Sequence, residues 1–499
     1  MSRKVVLIVV DGLGRAVLER ALAEGHAPTI ARLVDRGTLH PPCASSFPSL
    51  TPVCLSAIAT GRHPDGSFIP GLTWYRRGEG RFVEYGSSFG ATLVEGTLES
   101  INDSILNLNH LHLSQQVRTL FETVEDAGLV AGAINFYVFR GRTRHPLARR
   151  PLGALARRIG FTDAVYGPSR FFFGELFQSD MTGAPANIGL GGGNDRHAAA
   201  VGRWLVARDG FDFLLFYLPE VDMASHRSGP DGVLDVLGRA DEAIAELVSP
   251  CGGVDGFLER YAVVLVADHG QSAVTATADL REALHGLRLF TSSRASDPAR
   301  SAVALAASNR AGMVYRLADA PPAATLARRL EELPGVDLVA FVDGPGYVVR
   351  RDGRELRFTR DADGAPDLRH GRWAVTGDTD VLELETTGGA VGSLRYPNPL
   401  ERLTGLLDCV NAGEVVCSAT TGYEFLDAGG SHHLGGGSHG SLLATDSTVP
   451  LVTAGFDGPV LLPDEPSITD IHGLVAGALG IAPAGAARAG PVEGRTVGR

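Results

Sequence analysis

Three short runs of apolar residues in this chain are each followed by an aspartate. The run VVLIVV ends at Asp11, the run FDFLLFYL shortly precedes Asp222, and the run YAVVLVA ends at Asp268. Uninterrupted apolar runs of this length are typical of strands in a sheet that is covered on both faces. Helical patterns separate them, for example around residues 198–206 and 233–247. This alternation predicts an α/β fold with a largely parallel central sheet sandwiched by helices.

The positions of these aspartates also predict where a ligand would bind. In open α/β sheets, ligands bind beyond the carboxyl ends of the strands. Asp11, Asp222 and Asp268 all follow the carboxyl end of a predicted strand. We therefore expect the functional site at that edge of the central sheet.

The segment at residues 275–423 follows a different pattern. It contains AGMVYRL, then the helix-like AATLARRLEELPG, then VDLVAFVDG and GYVVRR. This β-α-β-β order predicts a small α+β cap subdomain inserted into the core. The predicted core comprises residues 1–274 and 424–499, with a second insertion at about residues 72–194.

Composition and charge fit a large globular protein and restrict its partners. The chain has 499 residues, of which 44% are hydrophobic and 20% charged, and this excludes a wholly disordered chain. The formal net charge of -12 argues against binding of nucleic acid polymers or membrane surfaces, which require basic faces. An anionic small substrate is still compatible, because metal ions can set the local charge.

The N-terminal and cysteine patterns predict a cytoplasmic protein. The run VVLIVV has no small-residue cleavage site after it, so we interpret it as the first strand and not as a signal peptide. No stretch approaches 18 consecutive apolar residues, which predicts that nothing spans a membrane. The scattered cysteines show neither a disulfide framework nor a CxxC metal pattern. They are Cys43, Cys54, Cys251, Cys409 and Cys417.

Five short segments contain side chains that bind metal ions. The segments are VVDGLG, SLTPVCLSAIATG, PEVDMASHRSGP, VADHGQ and GGGSHGS. Their candidate ligands are Asp11, Thr51, Asp222, His226, Asp268, His269 and His439. Aspartate and histidine together suit zinc, and also manganese or iron. Two metal ions need roughly six to eight ligands, and this set of side chains meets that number.

Thr51 is the predicted nucleophile. A threonine hydroxyl attacks poorly unless a metal ion at its oxygen lowers its pKa, while a second ion about 4 Å away stabilises the phosphoryl and leaving-group charge. Thr51 precedes the helix-like VCLSAIATG, and a helix N-terminus favours an anion. Taken singly, Asp11 in a turn, Thr51 as a helix cap and His439 in a solvated loop have ordinary structural explanations. Their occurrence together favours the metal site.

In their order, these motifs resemble the alkaline phosphatase superfamily, and within it the type I phosphodiesterase/nucleotide pyrophosphatase group. Thr51 lies ten residues before Gly61 of a Thr-Gly pair, Asp222 and His226 match the D-x-x-x-H motif, and VADHGQ contains the D-H-G motif. The G-x-H-G motif matches Gly437–Gly440. The resemblance covers residues 1–71, 195–275 and 430–485.

The resemblance implies an alkaline phosphatase-like core and a two-metal centre. The implied ligands of one ion are Asp222, His226 and His439, and those of the other are Asp11, Asp268, His269 and the Thr51 oxygen. The implied activity is hydrolysis of a phosphodiester or phosphomonoester through a covalent phosphothreonine intermediate. The substrate would be a small phosphorylated molecule.

The phosphoryl-binding residue is where the chain departs from this family. Members often place an asparagine about twenty residues after the nucleophile, and Leu72 stands there in this chain. Thr73 and an arginine are the candidate replacements. Arg140, Arg142 and Arg144 form a basic cluster, which is compatible either with a solvated loop or with binding of the phosphate.

Two other functional classes are compatible with the motifs. Related metal sites support phosphomutases and phosphotransferases, and a non-catalytic relative would bind a ligand without turnover. A sulfatase is disfavoured, because neither Cys43 nor Cys54 has an arginine four positions later. We interpret His432 and His433 as residues of a mobile loop and not as ligands.

Overall fold

Among the residues that the structure describes, the central sheet has eight strands and is mostly parallel. The computed structural model describes residues 3–147, 161–174, 176–178, 194–293 and 296–482, together with Gly153, Arg158 and Gly183. In spatial order the strands are Phe177–Gln178, Arg170–Phe173, Ala131–Ile134, Phe213–Leu218, Lys4–Val10, Tyr261–Val266, Leu451–Ala454 and Gly37–Leu39. The strands from Arg170–Phe173 to Tyr261–Val266 are parallel, and each outer strand pairs antiparallel with its neighbour. The predicted fold class is confirmed.

The first strand lies at the centre of the parallel part. Val10 pairs with Leu218 on one side, and Val9 pairs with Val266 on the other. The Asp11 amide continues this ladder, because it donates to the Leu218 carbonyl at 3.0 Å. The segments that follow these three strands therefore start at the same edge of the sheet.

Helices accompany the central sheet, and their apolar residues pack into its core. In the helix Leu234–Val248, Leu237, Ile244 and Leu247 recur at helical spacing and are buried. Among the described residues, the other α-helices of this part, with one π-helix, are Arg15–Glu24, Pro28–Asp35, Thr51–Thr60, Pro64–Ser67, Phe89–Glu95, Thr97–Asn102, the π-helix Asp103–His112, Leu120–Asp126, Asn194–Ala207, Glu220–Ser228, Val254–Arg260, Ala444–Ser447 and Asp470–Ala478. Within the described ranges, none of the helices combines the length and apolarity needed to cross a bilayer.

A second eight-stranded sheet takes all its strands from the segment expected to form the cap. In spatial order they are Leu289–Phe290, Val303–Ser308, Ala311–Arg316, Val415–Ala419, Val336–Asp343, Gly346–Arg351, Arg354–Pro366 and Arg372–Gly377. Alternate residues face opposite sides: Ala340 packs into the core shared with the central sheet, and Val339 packs against the helix Ala323–Glu331. The sheet exceeds the predicted β-α-β-β unit. The other α-helices described in this segment are Leu280–Ala283 and Pro399–Leu407.

The segment around residues 72–194 is not a simple insertion, and the structure corrects that prediction. It contributes Ala131–Ile134, Arg170–Phe173 and Phe177–Gln178 to the central sheet. These strands have four residues or fewer, and they lack the long apolar run that marks the other parallel strands. Short paired strands complete the fold: Thr73–Arg76 with Arg81–Glu84, Thr143–Pro146 with Ala164–Gly167, Ser272–Ala273 with Gly437–Ser438, Ala276–Ala278 with Tyr423–Phe425, Cys43–Ala44 with Thr448–Val449, and Glu385–Thr387 with Ala390–Gly392.

Candidate metal centre

A tight turn holds Asp11 at the sheet edge. Gly12, the next residue, has φ +70, and a Cβ at this position would lie 2.8 Å from the Asp222 Cα. Glycine permits both the left-handed backbone and this close approach. The end of the first strand therefore lies directly against the helix that carries Asp222.

The helix Glu220–Ser228 begins directly after the strand Phe213–Leu218 and its Pro219. Asp222 and His226 are four residues apart and share one face of this helix. The His226 Nε2 lies 3.4 Å from Asp222 Oδ2. The spacing in the sequence thus suffices to bring these two side chains together.

His439 reaches the same place by strand pairing. The strand Gly437–Ser438 pairs antiparallel with Ser272–Ala273, which follows the D-H-G motif. The His439 Nε2 lies 3.7 Å from Asp222 Oδ1. Asp222, His226 and His439 each present one ligand atom, and these atoms lie within 4.8 Å of one another.

A second group forms around the D-H-G motif. Asp11, Asp268 and His269 also present ligand atoms within 4.8 Å of one another. The His269 Nε2 lies 3.4 Å from Asp11 Oδ1 and 3.4 Å from Asp268 Oδ2. Thr51 is the first residue of the helix Thr51–Thr60, and its Oγ1 lies 3.1 Å from the same His269 nitrogen. The candidate nucleophile therefore adjoins this second group.

All three histidines are oriented in the same manner. The Nδ1 of His226 lies 2.9 Å from the Gly437 carbonyl, and the Nδ1 of His439 lies 2.8 Å from that of Ser49. The Nδ1 of His269 lies 3.1 Å from the Gly270 carbonyl. Because a carbonyl only accepts hydrogen bonds, each Nδ1 carries the proton, and Nε2 keeps a lone pair that faces its group. Neutral imidazoles in this orientation are suited to bind metal.

The carboxylates of the centre are buried close to one another. Burial, followed by the charges of Asp268 and Asp222, raises the pKa of Asp11 well above its usual range. Burial likewise raises the pKa of Asp268, and burial together with His269 lowers that of His439. Asp11 Oδ1 and Asp268 Oδ2 are buried and have no hydrogen-bond partner among the described residues. This donor set and these unpaired oxygens fit divalent cations.

Two residues that the sequence analysis did not single out orient the carboxylates. The Tyr217 hydroxyl donates to Asp11 Oδ2, and the Gln271 amide donates to Asp222 Oδ1. Such supporting hydrogen bonds fix the orientation of metal ligands. Tyr217 could have been noticed in the sequence, because its hydroxyl is the only polar side-chain group near the end of the run LLFYL. Gln271 directly follows the D-H-G motif.

His433, which the sequence analysis assigned to a loop, packs beside the centre. Its ring centroid lies 4.1 Å from that of His226, and its Nδ1 lies 2.7 Å from Glu424 Oε1. Glu424 is buried and also accepts from the Ser438 hydroxyl. His433 therefore forms part of the wall of the centre, whereas His432 is exposed.

The candidate phosphoryl-binding residues have partners elsewhere. The Thr73 hydroxyl donates to the Glu84 carboxylate. Arg140 is buried, and its guanidinium donates to Glu122 and to the carbonyls of Leu113, Ser114 and Val117. Arg142 pairs with Glu122 and Asp126, and Arg144 is exposed. Among the described residues, none of the hydrogen bonds of Thr73, Arg140 and Arg142 goes to the candidate metal ligands.

Two Asp/His groups beside a threonine, at the carboxyl edge of a mostly parallel sheet, are the arrangement expected of a metal-dependent phosphoryl hydrolase. The family model described as type I phosphodiesterase / nucleotide pyrophosphatase matches residues 5–368. The chain belongs to this family and is a phosphoric ester hydrolase. No curated protein matches the chain in sequence.

Solved structures of low sequence identity share the fold. Phosphonoacetate hydrolase from Sinorhizobium meliloti 1021, in complex with phosphonoformate, is 16% identical with a TM-score of 0.59 over 96% of both chains. Murine ectonucleotide pyrophosphatase / phosphodiesterase 5 is 13% identical with a TM-score of 0.56 over 96% of both chains. Its inactive threonine-to-alanine variant, in complex with AMP, is 12% identical with a TM-score of 0.56 over the same 96% of both chains.

Proposed function

We propose that the protein hydrolyses a phosphodiester or phosphomonoester of a small molecule through a phosphothreonine intermediate at Thr51. The observation that supports this most directly is the position of the Thr51 Oγ1, 3.1 Å from the His269 Nε2. The group that contains His269 also holds the unpaired oxygens of Asp11 and Asp268. A nucleophilic hydroxyl in such a place can share a metal ion with these ligands.

The proposed cofactors are two divalent ions, with zinc as the first choice and manganese or iron as alternatives. One ion would be held by Asp222, His226 and His439, and the other by Asp11, Asp268, His269 and the Thr51 oxygen. When bound, the ions lower the pKa of the threonine hydroxyl and polarise the phosphoryl group.

The helix that begins at Thr51 favours negative charge on the attacking oxygen. The helix Thr51–Thr60 directs its N-terminal dipole towards the Thr51 oxygen, which favours a negative charge there. The Thr51 hydroxyl releases its proton to water, its oxygen attacks phosphorus, and the ester oxygen leaves with its electron pair and takes up a proton. The phosphoryl group is then esterified to Thr51 and, for a diester, keeps its second ester. Water then cleaves the ester to Thr51, which releases phosphate or a phosphomonoester and regenerates Thr51.

The solved relatives suggest which substrates to test. One acts on phosphonoacetate, and the murine protein is an ectonucleotide pyrophosphatase / phosphodiesterase that is inactive in its threonine-to-alanine form. We therefore propose a panel of nitrophenyl phosphate, bis-nitrophenyl phosphate, nucleotides and phosphonoacetate with the zinc-reconstituted protein. Hydrolysis of at least one ester, lost in Thr51→Ala and kept in Thr60→Ala at the far end of the same helix, would support the proposal.

The same panel separates the alternative functions. A phosphomutase or phosphotransferase would move the phosphoryl group to an acceptor alcohol with little release of phosphate. A non-catalytic relative would bind two zinc ions and leave every ester intact. Either result would contradict the proposed hydrolysis.

A cytoplasmic location accompanies this proposal. All five cysteines are unpaired, which suits a reducing compartment. Fractionation of cells that express the protein tests the location, and recovery outside the cytoplasmic fraction would contradict it.

A further inference from the structure

A side chain from the second sheet reaches the metal centre. Asn309 lies in the two-residue turn between the strands Val303–Ser308 and Ala311–Arg316. Its side-chain Nδ2 lies 3.1 Å from the His439 Nε2, and the residue is only 6% exposed. From this position we propose that the Asn309 amide binds a phosphoryl oxygen of the substrate. This inference rests on the proposed function and adds a substrate-binding residue to it.

The orientation of the amide follows from that of His439. The His439 Nδ1 lies against the Ser49 carbonyl and therefore carries the proton. Nε2 is then an acceptor, so the Asn309 group that contacts it is the NH₂ donor. An N–H donor of the turn is thus directed at the nitrogen through which His439 would bind a metal ion.

The turn that carries Asn309 is fixed on several sides. The Arg310 amide donates to the His439 carbonyl at 3.0 Å, and the Phe425 amide donates to the Asn309 carbonyl at 2.8 Å. The buried Arg310 guanidinium pairs with Asp446 at 2.6 Å. Gly440 packs so closely that a Cβ there would lie 3.2 Å from the Arg310 nitrogen. The backbone that carries the Asn309 side chain is therefore held in place before any substrate arrives.

The chemistry of the site gives this donor a role. Asp222, His226 and His439 supply three protein ligands, and a catalytic site with three ligands keeps a position for the substrate. When Nε2 binds an ion, it no longer accepts from Asn309, and the buried NH₂ needs another acceptor. A phosphoryl oxygen beside His439 provides one. A neutral donor fixed in advance stabilises charge on that oxygen without reorganisation.

The backbone conformation offers a simpler explanation of Asn309, and the two explanations can be separated. The residue has φ +53, which asparagine tolerates better than most residues. Glycine adopts this conformation more readily still. If Asn309 serves only the turn, Asn309→Gly is harmless. If the amide binds substrate, the same substitution removes the donor while the turn remains favourable.

The experiment compares wild type, Asn309→Gly and Asn309→Asp with the control Asn398→Gly. Asn398 is also buried and has φ +44, but its side chain bonds to Glu401. Zinc content, binding of inorganic phosphate to the zinc-loaded protein and kcat/KM are measured for each. We expect Asn309→Gly to keep its zinc, to bind phosphate at least about tenfold more weakly, and to lose about 100-fold in kcat/KM. Asn309→Asp should bind phosphate more weakly still, because its charge repels the anion.

The outcomes distinguish this inference from the proposed function. If the wild type hydrolyses no ester but binds phosphate more tightly than Asn309→Gly, the proposed function fails and the role of Asn309 stands. If the wild type is active and Asn309→Gly matches it within twofold in phosphate affinity and kcat/KM, the role of Asn309 fails alone. Loss of zinc in Asn309→Gly would make the residue a support of the ligands and would overturn the inference. A wild type that neither binds phosphate nor hydrolyses an ester contradicts both proposals.

Discussion

The imidazole rings of His269 and His439 stack with their centroids 3.6 Å apart and their planes 9° apart. The two residues belong to different groups, His269 with Asp11 and Asp268, and His439 with Asp222 and His226. Because each ring presents its Nε2 to its own group, the stack places the two groups side by side. Two ions held there would be close enough to act on one phosphoryl group.

The first prediction concerns Thr51. Thr51→Ala should keep both metal ions, because aspartate and histidine provide most of the ligands, and should lose most of its kcat. Thr51→Ser should keep part of the rate, because the hydroxyl remains while the methyl that restricts its rotamer is lost. Steady-state kinetics and elemental analysis measure both effects. Near-normal kcat in Thr51→Ala would show that water attacks directly.

The second prediction compares two histidines of one loop. His439→Ala should lower the zinc content below two ions per chain and nearly abolish turnover, because it removes a ligand of one group. His432→Ala should change neither, because His432 is exposed. Elemental analysis after zinc reconstitution gives the result. Equal losses in both variants would mean that His439 is not the specific ligand.

The third prediction concerns Arg140 and follows from its burial. Side chains of Arg140 and Glu122 are 6% and 7% exposed, and their atoms lie 3.1 Å apart. Arg140→Met should lower the free energy of unfolding by about 3 kcal/mol, because it removes the buried cation beside the Glu122 carboxylate and leaves it paired only with the half-exposed Arg142. KM should not change in the folded protein. Urea denaturation and steady-state kinetics test the two statements, with exposed Arg144→Met as the control.

A raised KM in Arg140→Met at unchanged stability would instead favour phosphate binding by Arg140. Arg142→Met should lower the free energy of unfolding less than Arg140→Met does. The Arg142 side chain is 49% exposed, and exposed ion pairs contribute at most about 1 kcal/mol.

The fourth prediction is a pH dependence of stability that originates at Glu84. Burial raises the pKa of Glu84 to about 7, although the hydrogen bonds from Thr73 and Ser87 act to lower it. In the unfolded chain a glutamate titrates near 4.3. A carboxyl whose pKa is higher in the folded state favours folding below the unfolded pKa, and this contribution is lost as the pH rises towards 7.

We therefore expect the stability of wild type relative to Glu84→Gln to fall between about pH 5 and pH 7. The slope should be about 1.4 kcal/mol per pH unit, and it should level off above pH 7. Urea midpoints of the two proteins across this range provide the measurement. Parallel pH curves would show that Glu84 titrates normally in the folded state.

The sequence by itself determined the elements whose pattern is local. Long apolar runs marked the central strands, and the aspartates after them marked the sheet edge, because side-chain burial in a parallel sheet requires such runs. The four-residue spacing of Asp222 and His226 placed them on one helix face, since the helical repeat fixes that relationship. The order of the motifs resembles that of the alkaline phosphatase superfamily, and this resemblance implied a phosphoric ester hydrolase.

Only the tertiary structure decided which distant side chains meet. The pairing of Gly437–Ser438 with Ser272–Ala273 brings His439 to the centre, and the turn of the second sheet brings Asn309 to His439. From the sequence, Arg140 was compatible either with a solvated loop or with phosphate binding, but folding surrounds it with Glu122 and backbone carbonyls. The physical reason is the same in each case. These contacts depend on how strands and turns far apart in the chain pack, and neither periodicity nor spacing along the chain encodes that arrangement.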